Sequence, residues 1–148
     1  MNPADGQTPP SSEPFTKAAA AIVVHRRRVL AARRSAGKRY DGWWEFPGGK
    51  LEKGEEFDQC CVREIAEELN LAVSIERHFY TVNYTYPEFC LHMECFLCHP
   101  QSADFDIRLS AHDDYRWLDR ANLYSVKWLP AAFTVLRQLE EEPFWKDD

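Results

Sequence analysis

The sequence contains no apolar run long enough to cross a membrane. Its longest one, AAAAIVV at residues 18–24, falls well short of the roughly 20 residues that a spanning helix needs. A lead rich in proline and serine with one lysine precedes this run, and HRRR follows it, which reverses the charge order of a secretory signal. The sequence therefore predicts a cytoplasmic protein with no membrane partner.

Paired cysteines are not indicated either. The chain has five cysteines, an odd number, and without an export signal they are expected to be reduced thiols. Cys95 and Cys98 form a CxxC, but they lie in a predicted strand, where residues an odd number of positions apart point to opposite faces. We therefore expect no zinc site at this pair. Cys60 and Cys61 are predicted to be packing residues.

The chain also lacks an excess of positive charge. Its net charge of -6 argues against general affinity for nucleic acid polymers. The basic residues are nevertheless concentrated ahead of an acidic helix. They are Arg26, Arg27, Arg28, Arg33, Arg34, Lys38 and Arg39. This asymmetry is compatible with a small anionic substrate that is held by cations and a metal ion.

The order of predicted elements indicates one layered domain. Residues 1–16 are rich in proline, serine and other polar residues and are predicted to form a flexible tail, which leaves 17–148 as a single domain. Strands, a helix, two long strands and a last helix predict a mixed sheet with helices on its faces, an α/β or α+β sandwich. The predicted helices are 56–69 and 131–141, and the predicted strands are 17–25, 28–34, 43–46, 71–86, 89–99 and 113–119.

One face of the first predicted helix carries three carboxylates. Glu64, Glu67 and Glu68 fall within an arc of about 100°. Like charges at these spacings repel by a few tenths of a kcal/mol, so this face needs either water or a cation. A glycine pair precedes the helix and can turn a carbonyl group inward. Several oxygen ligands of this kind suit Mg²⁺.

The same segment resembles the Nudix box. From Gly49 the chain is GKLEKGEEFDQCCVREIAEELNL, and the box is G, five residues, E, seven residues, REU, one residue, EE, one residue, G and U, where U is a bulky aliphatic residue. The matching residues are Gly49, Glu55, Arg63, Glu64, Ile65, Glu67, Glu68 and Leu71. Only Asn70 departs from the pattern, and asparagine tolerates the left-handed conformation that ends a helix. The flanks WEFPGGK, ARRSA and TYPEFCLHMECFLCHP are similar to the MutT-like branch and its CTP pyrophosphohydrolase relatives.

This resemblance implies a fold, a reaction and a cofactor. The implied fold is the Nudix α/β/α sandwich with a mixed β-sheet. The implied reaction is metal-dependent hydrolysis of a nucleoside triphosphate, of the 8-oxo-dGTP or CTP/dCTP type, to a nucleoside monophosphate and pyrophosphate. Mg²⁺ is the expected cofactor, with Mn²⁺ as the alternative, and a small-molecule nucleotide is the expected partner.

The resemblance also implies roles for single residues. The implied metal ligands are Glu64, Glu67, Glu68 and the backbone carbonyl of Gly48. Glu64 is the first choice for activating the attacking water and Glu55 is the second. Arg63 is expected to orient the carboxylates through its planar fork, above all towards Glu55. The implied substrate contacts are Arg34, Phe46 and Tyr84.

Two positions depart from the MutT-like pattern. Ala111 stands where relatives carry a glutamate that assists the metals, next to the retained His112, so Asp113 or Asp114 is the alternative acid from this loop. Ala132 stands where relatives read the base edge with Asn or Asp, so strict selectivity for an oxidised guanine nucleotide is not expected. Stacking on one or two aromatic residues is expected instead. The candidates are Trp43, Trp44, Phe46, Phe79, Tyr84 and Tyr86.

Two other functions stay open at this point. The box handles a metal and a diphosphate, so it does not exclude a nucleotide sugar, a dinucleotide or a capped RNA end as the substrate. A Nudix-like binding module without catalysis is a further alternative, although the box is intact. A monomer and a homodimer are equally compatible with the sequence.

Overall fold

A computed structural model describes residues 15–146. The predicted tail therefore lies outside the described residues up to position 14, and its last residue, Thr16, already belongs to the first strand. The strands are β1 Thr16–His25, β2 Arg28–Arg34, β3 Trp44–Glu45, β4 Gly48–Lys50, β5 Val73–Thr85, β6 Cys90–Pro100 and β7 His112–Leu118. The α-helices are α1 Phe57–Leu69 and α2 Phe133–Glu140.

The strands form a seven-stranded mixed sheet. Its order is β3-β2-β1-β6-β5, with β4 paired to β1 and β7 paired to β2. β1 runs parallel to β6 but antiparallel to β2 and β4. The predicted α+β class with a mixed sheet is confirmed. Because β4 and α1 follow each other along the chain, the sheet holds the start of the acidic helix close to β1.

Alternate residues of β1 face two separate apolar layers. Ala21 and Val23 pack with Ile65 of α1 on one face of the sheet. Ile22 packs with Leu136 of α2 on the other face. Helices therefore cover both faces, as the α/β/α prediction requires. Truncating a fully buried aliphatic residue in either layer typically costs 2–5 kcal/mol, so both helices are firmly anchored.

Helix α1 starts and ends where its sequence indicates. It spans Phe57–Leu69, against a prediction of 56–69. At its start, the backbone N–H of Glu56 donates to Gln59 Oε1 at 3.0 Å, which forms half of a capping box. At its end, Asn70 adopts the left-handed conformation with φ of 55°. Asparagine thus replaces the glycine of the Nudix box without loss of the helix end.

The structure corrects two local predictions. Gly48–Lys50 was predicted as a turn and loop, but it forms β4, whose residues pair with Ala18, Ala19 and Ala20. This pairing is long-range and leaves no periodic signal in three residues. The last helix begins at Phe133, because Pro130 starts a separate 3₁₀ turn, Pro130–Ala132.

The cysteines are positioned as their spacing predicts. Cys95 belongs to the apolar layer on the α2 side and Cys98 to the layer on the α1 side, so their sulfurs do not converge. All five cysteines are free thiols. Over residues 15–146, no helix combines the length and the apolar character that crossing a membrane would require.

Candidate active site

Arg63, in the middle of α1, is the centre of a charged network. Its Nε donates to Glu55 Oε2 at 2.6 Å and its Nη2 donates to Glu55 Oε1 at 2.9 Å. Its Nη1 donates to Glu64 Oε2 at 2.9 Å and to Glu67 Oε1 at 3.0 Å. The hydrogen bonds from Arg63 to Glu55, together with one from the backbone N–H of Glu52, lower the pKa of the Glu55 carboxyl to about 2. The predicted contact between the Arg63 fork and Glu55 is present.

The glycine pair of β4 lies against β1 on one side and the α1 carboxylates on the other. A Cβ atom built on Gly49 would lie 2.3 Å from Glu64 Cδ and 2.4 Å from Glu64 Oε1. A Cβ atom on Gly48 would lie 2.0 Å from the backbone oxygen of Ala19. Glycine is therefore required at position 49 to leave room for the Glu64 carboxylate, and at position 48 to let β4 pair with β1.

Glu68 is the carboxyl group with the most unusual environment. Its Oε1 is buried and has no hydrogen-bond partner in the described part of the chain. Burial is the main cause that raises the pKa of Glu68 to about 9, and a hydrogen bond with Glu64 and the charges of Glu64 and Glu45 raise it further. Two carboxyl groups forced together in this way favour either a shared proton or a cation.

The donor set suits a hard divalent cation. Glu64, Glu67 and Glu68 offer carboxylate oxygens, which Mg²⁺ and Mn²⁺ prefer, and the buried Glu68 Oε1 lacks a partner among the described residues. Within residues 15–146, no three His, Cys, Asp or Glu side chains are already grouped as metal ligands. Arg63 donates to one carboxylate oxygen each of Glu64 and Glu67. The residues present therefore fit a divalent cation.

Replacing Glu68 with glutamine is expected to stabilise the cation-free protein, and more so at higher pH. Between the ordinary pKa of 4.5 and the folded-state pKa of about 9, the folded wild type holds a proton that the unfolded chain lacks, so wild-type stability falls as pH rises. Glutamine does not titrate, so the advantage of the variant grows by at most about 1.4 kcal/mol per pH unit and levels off near pH 9. The difference in free energy of unfolding between the variant and the wild type would be measured by urea denaturation in EDTA at about pH 6 and about pH 8.5. An advantage that does not change between these two pH values would contradict the expectation.

Glu45 is a further acidic residue near the site, and the sequence did not single it out. Arg34 Nη1 donates to Glu45 Oε1 at 3.2 Å, and His112 Nε2 lies 2.8 Å from Glu45 Oε2. The His112 side chain is only 2% exposed. The Glu45 charge acts on Glu68, so the two carboxyl groups lie near each other. The sequence feature that could have indicated Glu45 is its place as a charged residue inside the aromatic run WWEF.

Asp113 and Asp114, the alternatives to the missing glutamate at 111, lie in β7 rather than in a loop and are directed elsewhere. Asp113 Oδ1 accepts a hydrogen bond from Arg33 Nε at 2.6 Å. Asp114 Oδ1 accepts one from the backbone N–H of Tyr115 at 2.8 Å. Strand β3, through Glu45, thus supplies an acidic residue next to the retained His112.

A cleft of about 570 Å³ adjoins the glycine pair. Of the predicted substrate contacts, Arg34 and Phe46 line it, whereas Tyr84 packs edge-on against Tyr86 with 4.7 Å between ring centroids. The cleft is lined by Thr16, Ala18, Ala19, Ala20, Arg34, Arg39, Tyr40, Glu45, Phe46, Gly48, Gly49, Lys50, Tyr86, Glu88, Phe89, Leu91, Met93 and Leu129. Phe46 and Tyr86 are the aromatic candidates that reach it, and Tyr40 and Phe89 are two more that the sequence did not indicate.

A mixed sheet between two helices, with a carboxylate-bearing helix beside a glycine pair, is the arrangement expected of a Nudix domain. The chain belongs to the NUDIX domain family, whose model matches residues 14–139. It is similar to an 8-oxo-dGTP diphosphatase of Proteus vulgaris, with 36% identity over 69 residues. It is also similar to a CTP pyrophosphohydrolase of Escherichia coli (strain K12), with 43% identity over 47 residues. These relatives are MutT-like.

The matches differ in extent. The match to the Proteus protein covers 47% of this chain and 62% of that protein, and the match to the E. coli enzyme covers 32% and 35%. The chain thus spans less than two thirds of the length of these two curated relatives. Among solved structures, the solution structure of the E. coli ORF135 protein has a TM-score of 0.73 at 24% identity, over 89% of this chain and 93% of that one. This likeness concerns the fold.

Proposed function

We propose that the protein is a metal-dependent nucleoside triphosphate pyrophosphohydrolase that releases a nucleoside monophosphate and pyrophosphate. One observation carries the proposal: the Glu64 carboxylate, which acts on the buried Glu68 carboxyl, lies against Gly49, and Gly49 lines a cleft of about 570 Å³. The carboxylates suit a cation that binds the diphosphate, and the cleft has the size of a small-ligand site. The family and its MutT-like relatives support the same reaction.

The metal-facing residues in this proposal are Glu64, Glu67, Glu68 and the Gly48 carbonyl. Mg²⁺ is the proposed ion, and Mn²⁺ satisfies the same oxygen donors. When bound, the cation supplies a Lewis acid that neutralises charge on the phosphate oxygens. The pKa of Glu68 of about 9 means that a proton must leave this carboxyl as the cation binds, so cation affinity is expected to rise with pH up to that value.

Glu64 is the proposed general base. Glu55, the second candidate, accepts two hydrogen bonds from Arg63, and its pKa of about 2 makes it a weak acceptor for the proton of water. The remaining role of Glu55 is to hold Arg63, and Arg63 in turn orients Glu64 and Glu67. Arg34 and Phe46, which line the cleft, are the proposed contacts to the nucleotide.

The substrate is proposed to be 8-oxo-dGTP or a CTP/dCTP-type nucleotide. The names of the two curated relatives support these two choices. The free thiols and the proposed nucleotide substrate are compatible with a protein that acts in the cytoplasm. Nucleotide sugars, dinucleotides and a binding module without catalysis are the competing outcomes of the test.

Pyrophosphate release across a nucleotide panel tests the proposal. The panel contains dGTP, 8-oxo-dGTP, CTP, dCTP, a nucleotide sugar and a dinucleotide, each with Mg²⁺, with Mn²⁺ and with EDTA. We expect metal-dependent release of pyrophosphate from a triphosphate and none in EDTA. If only the nucleotide sugar or the dinucleotide is cleaved, the proposed substrate class would change from a nucleoside triphosphate to that compound's class. Folded protein that cleaves no member of the panel would overturn the proposal in favour of a binding module.

A further inference from the structure

A second cavity, which we call the distal cavity, lies at the opposite end of β1 from the cleft. It has a volume of about 530 Å³ and lies between the β1–β2 turn, the end of β6 and the 3₁₀ turn Pro143–Trp145. Val24 lines the distal cavity and Ala20 lines the cleft. Both side chains belong to the apolar layer on the α2 side, with Ile22 between them. Four residues of a strand span about 13 Å, so the two cavities are separate sites.

Basic side chains dominate the polar lining of the distal cavity. They are Arg26, Arg27, Lys146, His25 and His99. Among the residues that the structure describes, no acidic residue lines this cavity, although His99 Nε2 lies 2.5 Å from Glu76 Oε1 just outside the lining. The net charge of the chain is -6, so this local excess of positive charge opposes the charge of the whole protein. A concave surface with charge of one sign concentrates ions of the opposite sign.

The two arginines of the distal cavity occupy a turn that their residue type disfavours. Strands β1 and β2 pair at His25 and Arg28, so Arg26 and Arg27 form a two-residue hairpin loop. Their φ values are 51° and 61°, as in a type I′ turn, for which Asn-Gly is the preferred sequence. Residues with long side chains rarely adopt a positive φ. Because backbone strain of this kind is concentrated at functional sites, it indicates a role for these side chains beyond forming the turn.

The basic residues that the sequence concentrates in one segment are divided between the two cavities. Arg34 and Arg39 line the cleft, whereas Arg26 and Arg27 line the distal cavity. The proposed hydrolysis in the cleft therefore gives no role to the arginines of the turn. Burial and then the charge of Arg26 lower the pKa of His25, so the positive charge of the turn acts on its neighbour. An anion bound at the turn would relieve this repulsion.

The lining also indicates the chemistry of a ligand. A guanidinium group presents its N–H donors as a planar fork that matches the oxygens of a phosphate, and a lysine adds a compact charge. Phe144, Pro100 and Pro143 supply an apolar part of the wall, which excludes water and strengthens interactions between charges. The volume of about 530 Å³ lies in the range of small-molecule sites. A small anion with several negative charges fits these features.

We propose that the distal cavity is a second, non-catalytic binding site for a small multivalent phosphate anion, either a free polyphosphate such as pyrophosphate or the phosphate chain of a nucleotide. Arg26 and Arg27 bind the phosphate oxygens, and Lys146 adds a third positive charge. These contacts need no metal ion, so the anion binds in EDTA, whereas the carboxylates of α1 repel it from the cleft when no cation is present. The inference goes beyond the proposed function and does not depend on hydrolysis in the cleft.

Calorimetric titration in EDTA at low salt with pyrophosphate, tripolyphosphate and dGTP tests the site. We expect the wild type to bind pyrophosphate with a Kd below about 1 mM. The turn variant, Arg26→Asn with Arg27→Gly, carries the residues that a type I′ turn prefers, so its Tm should rise by a few degrees while its pyrophosphate affinity falls at least about tenfold. Arg26→Lys with Arg27→Lys keeps both charges and should stay within about threefold of the wild type. A loss of binding together with a gain in Tm excludes misfolding as the cause.

Arg108→Gln with Arg137→Gln is the matched control. It removes two positive charges from exposed side chains that line neither cavity among the residues described, so pyrophosphate affinity should stay within about twofold of the wild type. Tighter binding of dGTP than of tripolyphosphate would identify a nucleotide as the ligand, and equal or weaker binding would identify the free anion. No binding by the wild type, equal binding by the turn variant, or an equal loss in the control would each overturn the inference. Pyrophosphate release with Mg²⁺ should be the same in the wild type and the turn variant, so its absence from both would count only against the proposed function.

Discussion

Replacing Glu64 with glutamine is expected to lower kcat at least about a hundredfold and to leave the protein folded. The Glu64 side chain is 15% exposed and its carboxylate is hydrogen-bonded to Arg63. Glutamine keeps the shape and can still accept that bond, but it has no negative charge for a cation and cannot accept a proton from water. A hundredfold loss corresponds to about 2.7 kcal/mol of transition-state stabilisation, which is typical when a metal-supported or general-base step is lost.

Glu76→Gln is a suitable control for this variant. Glu76 is a glutamate on β5 that pairs with His99 and Arg77 at the surface, and it does not line the cleft among the residues described. The kcat for pyrophosphate release and the Tm of both variants would be measured side by side. A Glu64→Gln enzyme with near-normal turnover would show that Glu64 has neither of its two proposed roles.

Replacing each of the two neighbouring glycines of β4 with alanine is expected to have a different main effect. Gly49→Ala should mainly lower kcat, and Gly48→Ala should mainly lower stability. At Gly49 the added Cβ meets the end of the flexible Glu64 side chain, so Gly49→Ala should displace that carboxylate, lower kcat at least about tenfold, and change Tm by only a few degrees. At Gly48 the added Cβ meets the backbone oxygen of Ala19, which cannot move without breaking the pairing of β4 with β1. Gly48→Ala should therefore cost about 3 kcal/mol of stability and lower Tm by about 10 °C.

The comparison between the two glycine variants contains its own control. Each variant adds one methyl group to the same short strand, so a general intolerance of β4 to alanine would affect both in the same way. Thermal unfolding and Mg²⁺-dependent pyrophosphate release would be recorded for both. Equal losses of Tm in the two variants would contradict the separation of structural and functional roles.

Elements with a strong local pattern could be predicted from the sequence. The four-residue apolar repeat fixed α1 to within one residue at its start, and the alternation along β6 correctly placed Cys95 and Cys98 on opposite faces. The contact between Arg63 and Glu55, which the resemblance to the Nudix box implied, is present. These predictions needed only the period of a helix or a strand and the positions within one motif.

Features that depend on distant pairing could not be predicted. Glu45 reaches His112 because β3 and β7 both pair with β2, a topology that no local pattern reveals. The contact between the β2–β3 loop and the tip of the β5–β6 hairpin was missed for a similar reason: the hydrogen bond between Tyr40 and Glu88 joins residues 48 positions apart. The second feature also breaks a local expectation, since Tyr40 adopts a backbone conformation that its residue type disfavours.

The carboxylates and the outer wall of the cleft come from separate parts of the chain. The carboxylates lie on α1, next to β4, whereas the outer wall of the cleft is built from the β2–β3 loop and the β5–β6 hairpin tip. Substitutions in surface loops are tolerated more readily than changes in the packed elements they connect. Under the proposed function, variation in this loop and hairpin tip is therefore expected to alter which nucleotides are accepted while the carboxylates of α1 stay constant. Libraries randomised only at the loop and the hairpin tip offer a direct route to engineered substrate range on this scaffold.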